Sequence, residues 1–304
     1  MSKLSKDQFK QAKIFLKSKA RKLECTLFEF EFENGSKENV LKQLKPYQNE
    51  DGGFGNGLEP DFRCKESSAL ATAIGLHYLS RIGIDETNEM VKKAVHYLLN
   101  TFNKEKMGWQ IVPKEVETAP RAIWWNYNEN WEWGNPSAEI IGLLHHYKGL
   151  VSAEFLDDVT KYAIDYVNHL NKYEHHELLS FLKMSEKLPD KEYNLISNKL
   201  RDMVKASITD EPEKWDSYCL LPIQVVNSPR SQYHNLFTDI IPINLNYLVM
   251  KQTKDGYWEP TWSWGQFEEE WETAKEEWRG WLTLEYLRIL NSFNHMEVKN
   301  TICN

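Results

Sequence analysis

Cysteine is scarce in this chain, and what there is does not pair. Cys25, Cys64, Cys219 and Cys303 are widely separated with no C-x-x-C spacing, which argues against a disulfide framework or a zinc ribbon. Long apolar runs are missing too. No stretch approaches the length of a membrane span, so no stable membrane insertion is expected. Met1 to Arg21 is charged and has no apolar core segment, unlike a secretory signal; a cytoplasmic protein is expected. Basic stripes are absent, and the net charge is −8, which argues against a nucleic-acid partner. No strand precedes the glycine cluster Gly52, Gly53, Gly55 and Gly57, and no Lys-Ser/Thr follows it, so it is not a phosphate cradle. No G-x-S-x-G nucleophile motif occurs. Nothing calls for a cofactor or a resident metal, and nothing fixes the oligomeric state.

Aromatics, by contrast, are abundant: 12 Trp, 14 Tyr and 13 Phe. They bury more area per residue than aliphatics and suit both a core and a lined cavity. Helical periodicity dominates the chain. Val91, Ala94, Val95, Leu98 and Phe102 recur on one face while Lys92, Lys93, His96 and Asn100 take the other, the mark of a half-wet helix. Segments 38–46, 154–170, 190–206 and 239–251 follow this pattern. Between them lie segments that are apolar on nearly every side, at 67–82, 137–149, 174–187 and 274–290, with a poorly defined one near 218–227. A helix apolar all round must be buried all round. Phe28 to Phe32 alternates as a strand would, but a lone strand has no partner.

Alternation of half-wet and buried helices predicts an all-α (α/α) toroid, or barrel, of about five to six helical hairpins, outer amphipathic helices surrounding inner buried ones. No Gly-, Pro- or Ser-rich linker divides the chain, so one domain over residues 1–304 is expected, with 1–30 as an N-terminal helix and extension. Asn135-Pro136 reads as an N-cap followed by a first-turn proline, and Ser67 as a cap for the helix that follows.

A degenerate repeat punctuates the helices. Gln48-Asn49-Glu50-Asp51-Gly52-Gly53-Phe54 and Gln252-Thr253-Lys254-Asp255-Gly256-Tyr257-Trp258 share their spacing, and Asn103 to Trp109 is a weaker third copy. Glycine allows a positive φ in a tight turn, the amide can bond helix-end groups, and the aromatic can cover the turn. The motif is a structural staple. It resembles the QW repeat of squalene-hopene cyclases and protein prenyltransferase β-subunits, over roughly residues 38–290. The string Gly53 to Asp61 is similar to an uncharacterised bacterial subgroup of that superfamily. The resemblance implies the toroid. It does not carry over the family's catalytic motifs: D-x-D-D and D-D-x-x-D are absent, and Asp216, Cys219 and His234 have the wrong Asp–Cys spacing for the prenyltransferase zinc set.

In such a barrel the long connections 47–66, 103–136, 171–174, 207–217 and 252–277 share one end, where a site is expected. Four groups on or beside them are candidates. Glu59 and Asp61, with Arg63, are paired carboxylates that can divide acid and base roles, or a salt-bridged loop. Arg121 with Trp124, Trp125 and Trp131 suits a cation or a sugar face, or a packed lid. Glu139, His175, His176 and Glu177 stand at the starts of two buried helices. An unpaired carboxyl there would have a raised pKa and act as a proton donor, or else complement the helix dipole. Asp216 and Tyr218, with Trp262, Trp264, Trp278 and Arg279, form the fourth; Arg279 could bind an anion. The catalytic candidates are therefore Glu59, Asp61, Glu139, Glu177 and Asp216, and the substrate-binding candidates Arg63, Arg121, Trp124, Trp125, His175, Tyr218, Trp264, Trp278 and Arg279.

The expected partner is a small molecule. The superfamily resemblance and the aromatics together imply a cyclase-like enzyme using acid and carbocation chemistry on an isoprenoid-like hydrophobic substrate. A carbohydrate-active α/α barrel, or a non-catalytic binding protein, fits the same residues. Carboxyls about 5–10 Å apart would favour glycan chemistry.

Overall fold

A computed structural model describes residues 2–298; Cys303 lies outside them. The described residues form thirteen α-helices and six short 3-10 turns, with only isolated bridges of β structure. In chain order the helices are α1 (Lys6–Ser18), α2 (Lys22–Phe32), α3 (Lys37–Leu44), α4 (Ala69–Arg81), α5 (Glu89–Asn100), α6 (Gly134–His146), α7 (Ala153–His169), α8 (His175–Ser185), α9 (Asp190–Asn194), α10 (Ser197–Ser207), α11 (Pro222–Val225), α12 (Ile241–Lys251) and α13 (Glu268–Ser292). The chain is thus all-α. Its residues group into two compact units, Leu44–Ser207 in one, and residues up to Gln43 together with those from Ile208 onward in the other.

Side-chain caps fix many of these helix starts. Ser68 Oγ accepts the Ala71 amide at α4, Asn88 caps α5, and Ser152 caps α7. Ser68, one residue beyond Ser67, is the cap, while Ser67 Oγ donates to Asp51 at 2.7 Å. Asn135 keeps a non-helical backbone, so regular α6 geometry begins at Pro136, the position where a missing N–H costs least.

Within Leu44–Ser207 the helices make two layers. The buried helices α4, α6 and α8 pack side by side; α5 lies on α4, α7 on α6, and α10 on α7 and α8. Helices α6 and α8 run parallel, since Gly134 meets Glu177, Glu139 meets Lys183 and Gly142 meets Met184. Gly142 permits the closeness: a Cβ there would lie 2.7 Å from the Met184 Cα. The expected half-wet helix 190–206 is broken into α9 and α10 around Leu195 and Ile196.

In the other unit α1 packs on α2 and α13, α2 on α13, and α11 on α12. The alternating Phe28–Phe32 segment is helical. Phe28 and Phe32, four residues apart, stack at 5.1 Å, and both meet Phe9 of α1 at 6.0 Å. Tertiary packing at the i,i+4 spacing overrides the two-residue alternation.

The repeat is a staple in each unit. Gln48 donates to the Gly52 carbonyl at 2.9 Å and to the Met90 carbonyl, in the first turn of α5, at 2.9 Å. Gln252 donates to Gly256 at 3.0 Å and to Gln8, in the first turn of α1, at 3.1 Å. The main chain matches as well: Asn49 N–H reaches the Gly53 carbonyl and Thr253 N–H the Tyr257 carbonyl, both at 2.9 Å. Bonding to a helix end is the work of the tryptophan. Trp258 Nε1–H donates to Leu248 in the last turn of α12, and Trp109 Nε1–H to Leu98 in that of α5. The fifth position has positive φ in every copy: Gly52 at 92°, Gly256 at 93° and Met107 at 52°. In the third copy a methionine, not Gly108, occupies the left-handed position.

Candidate functional site

The connections 47–66 and 103–133 are tied together by backbone. Ala122 N–H donates to the Asp61 carbonyl and Arg63 N–H to that of Pro120, both at 2.8 Å. Glu59 and Asp61 are buried in this join, and Phe62 meets Trp125 edge-on at 6.0 Å. Arg63 Nη1 donates to the Pro60 carbonyl at 3.3 Å. Arg121 braces the loop around it. Its Nε donates to Asn126 Oδ1, its Nη1 to the carbonyls of Val116, Glu117 and Ala119, and its Nη2 to Glu117 Oε2 at 2.7 Å. Trp124 is exposed. Trp131 carries the Lys106 ammonium over its ring at 4.0 Å. The two connections thus form one cross-braced loop region.

The seam between α6 and α8 is different. Glu177 is buried in the first turn of α8. Its Oε1 accepts the Gly134 N–H at 2.8 Å and the Tyr166 hydroxyl at 3.1 Å. Aromatic rings surround it: Trp133 lies 4.7 Å from Tyr166, Tyr166 6.2 Å from Phe181, and the Phe181 ring abuts Gly134. Burial, the largest cause, raises the Glu177 pKa; the carboxylates of Glu132 and Glu174 push the same way, and the two hydrogen bonds oppose. The carboxyl is held toward its protonated form.

Two turns further along the seam Glu139 has the opposite setting. It is 3% exposed, with Oε2 at 2.6 Å from Lys183 Nζ and 3.6 Å from His77 Nε2. Burial alone would raise its pKa, but Lys183 and His77 outweigh burial and hold it at about 2. Glu139 is therefore an anion and not the proton donor its position suggested. Asn135 and Ser180 lie between the two carboxyls, their oxygens 3.5 Å apart.

Glu174, His175 and His176 bring their donor atoms within 4.8 Å of one another. Glu174 is already engaged as the α8 cap. Its Oε2 accepts the His176 and Glu177 amides, and its Oε1 meets His176 Nδ1 at 2.6 Å. The His175 and His176 rings lie 4.0 Å apart, beside that carboxylate. The cluster is a cap. Asp216, Cys219 and His234 do not converge as metal donors among the described residues.

In the other unit Asp216 is exposed, paired with Lys251 at 2.5 Å and with the Tyr247 hydroxyl at 2.8 Å. Lys251 is the main cause of its lowered pKa, so it does not serve as a proton donor. Arg279 already has its anions: Nε and Nη2 grip Glu259 at 2.9 Å each, Nη1 holds Glu276 at 2.8 Å, and the guanidinium sits 4.7 Å over the Tyr257 ring. Trp264 is core, against Trp271. Tyr218, Trp262, Trp278 and Trp281 form a run of edge-to-face pairs at 5.1–6.3 Å, in which Tyr218 is exposed.

Two open grooves, of about 230 and 470 Å³, lie along α7. Tyr162 and Asp165 line both, and Tyr166, which bonds Glu177, lines the smaller.

His77, Lys183, Trp133 and Tyr166 were not among the sequence candidates. A signal for the first two exists in retrospect. Each is an ionisable side chain in the C-terminal half of a largely apolar segment, ALATAIGLHYL and LLSFLKM, where a polar group stands out.

Comparison with known proteins gives no match, either among protein-family models or among the curated proteins.

Proposed function

We propose that the chain is a single (α/α)-toroid enzyme, related to terpenoid cyclases and protein prenyltransferases, that acts on an isoprenoid-like hydrophobic substrate by acid-initiated carbocation chemistry. Glu177 is the proton donor. The observation that carries this reading is the setting of its carboxyl: buried, with both hydrogen-bond donors on Oε1, among the rings of Trp133, Tyr166 and Phe181. A carboxyl that burial keeps protonated has a proton to give, and aromatic faces stabilise the cation that results when an alkene takes it.

Support for the toroid comes from the parallel packing of α6 and α8 and from the staples. In one unit the staple grips the first turn of α5 and in the other the first turn of α1. By that correspondence α1 plays in its unit the part that α5 plays in the other. Among the described residues no helix is long and apolar enough to cross a membrane.

Carbohydrate chemistry is the second reading, favoured by one observation. Glu177 and Glu139 lie on the same seam with their pKa values pushed apart, the pattern of an acid and its partner anion.

Thermal shift of the purified protein against prenyl diphosphates or polyprenes, and in parallel against oligosaccharides, tests the proposal. A ligand at 100 times its Kd adds about 2.7 kcal/mol. A shift with isoprenoids only, followed by turnover that Glu177→Gln abolishes, is expected. A shift with sugars only would move the assignment to glycan chemistry.

A further inference from the structure

Positive charge is gathered on one side of α1. Residues 2–22 hold eight lysines and arginines against one acid, Asp7, in a protein of net charge −8. These cations form no run in the linear sequence, but the helix lines four of them up. Lys6, Lys10, Lys13 and Lys17 follow the i, i+4, i+7, i+11 spacing. That places them within about 60° of the helix circumference, over a rise of about 16 Å. Ala12, Phe15 and Leu16 are buried on the other side, where α1 packs on α2 and α13. Ile14, 49% exposed, stands at the edge of the lysine stripe.

The stripe is unevenly compensated. Lys13 pairs with Glu33 of α2, and Lys17 with the next residue's other oxygen partner set, Glu33 at 2.5 Å and Glu29 at 3.3 Å. Lys6 and Lys10 are exposed, and among the described residues neither ammonium has a carboxylate within ion-pair distance. Glu297 approaches this end only through the Lys6 backbone N–H, which it accepts at 3.2 Å. The residue types narrow the partner. Lysine is a compact, strongly hydrated point charge, suited to a diffuse anionic surface, whereas guanidinium forks and aromatic platforms are what hold phosphates and bases singly. The four stripe positions are all lysine, and nearby Arg21 is held by both oxygens of Glu24. An exposed aliphatic side chain beside the cations gains from entering the headgroup region of a bilayer.

We propose that the outward face of α1 docks on an anionic phospholipid surface, with Lys6, Lys10, Lys13 and Lys17 against the headgroups and Ile14 entering between them. The contact is peripheral: the apolar face of α1 stays buried in its unit, and among the described residues no helix is long and apolar enough to cross a membrane. Lys6 and Lys10 carry most of the attraction. Lys13 and Lys17 carry less, because Glu29 and Glu33 share their charge. The acidic remainder of the chain is repelled by the same surface, so the charge asymmetry also sets the orientation. This inference stands apart from the reading of Glu177.

Cosedimentation of the full chain with vesicles tests this, using phosphatidylcholine alone and phosphatidylcholine mixed with phosphatidylserine. The protein is expected to pellet with the mixed vesicles only, and to be released at about 1 M salt, where the Debye length falls to about 3 Å. Lys6→Gln combined with Lys10→Gln is expected to weaken binding by about 30-fold. Lys13→Gln combined with Lys17→Gln is expected to weaken it less. Glu33→Gln, which removes the shared counter-charge, is expected to tighten it in a salt-sensitive way, a gain that misfolding does not produce. Equal pelleting with both vesicles, or undiminished binding in the Lys6/Lys10 variant, would overturn the proposal. So would weaker binding in Glu33→Gln, or a protein that ignores both vesicles and binds duplex RNA or DNA instead.

Discussion

Glu177 Oε1 accepts the Gly134 amide at 2.8 Å, so a carboxyl from the first turn of α8 closes the first turn of α6. The contact leaves no room at Gly134. A Cβ there would lie 2.5 Å from that oxygen and 2.8 Å from the Phe181 ring. Gly134→Ala is therefore expected to displace the carboxyl, to lower stability by about 2 kcal/mol, and to reduce turnover more than it weakens binding. Chemical denaturation and a kcat-against-KM comparison check this; an unchanged kcat would separate the carboxyl's position from the chemistry.

The two carboxyls of the seam should titrate against each other in stability. The folded pKa of Glu177 is raised, so the native state binds more protons than the unfolded chain, and stability falls as pH rises from the unfolded value of about 4.3. The folded pKa of Glu139 is lowered to about 2. Its contribution is present above the unfolded value and is lost as pH falls from about 4.3 toward 2. Urea midpoints across pH are expected to show less loss above about pH 4 in Glu177→Gln, and less acid destabilisation in Glu139→Gln.

At the staples the sign depends on the residue. Gly52 and Gly256 have positive φ, and a Cβ would lie 2.5 Å from the Lys93 carbonyl oxygen and 2.3 Å from the Gln11 carbonyl carbon, respectively. Gly52→Ala and Gly256→Ala are each expected to cost about 3 kcal/mol. Met107 holds the equivalent position at φ 52°, which is strained for a side chain. Met107→Gly is expected to gain about 0.5–1 kcal/mol. A destabilised Met107→Gly would break the equivalence of the three copies.

Asp216 offers a negative control. It is exposed, and Lys251 and Tyr247 hold it in its ionised form. Asp216→Asn is expected to leave the denaturation midpoint close to that of the parent protein and to leave turnover intact.

What could be read in the sequence follows from periodicity. Outer segments such as 88–102 and buried ones such as 67–82 fall within a few residues of α5 and α4, because a continuous apolar stripe reports burial directly. The staples were legible for the same reason: Gly52, Gly256, Trp109 and Trp258 each answer a local backbone demand. Charged residues were harder. Glu177 and Glu139 look alike in sequence, each an acid early in an apolar helix. Their opposite settings come from the neighbouring helices, where Tyr166 and Gly134 serve one and His77 and Lys183 the other. Arg279 shows the same limit. One of its anions, Glu276, sits at helical spacing three residues back, but the other, Glu259, is twenty residues away and no helical spacing points to it.

The most direct measurement is the titration of the Glu177 side chain, read by ¹³C NMR of the carboxyl in the intact protein and assigned by its disappearance in Glu177→Gln. The expected result is a midpoint above the ordinary glutamate value of about 4.3. A midpoint at or below that value would mean that the carboxyl is an ordinary anion, and would contradict Glu177 as the proton donor.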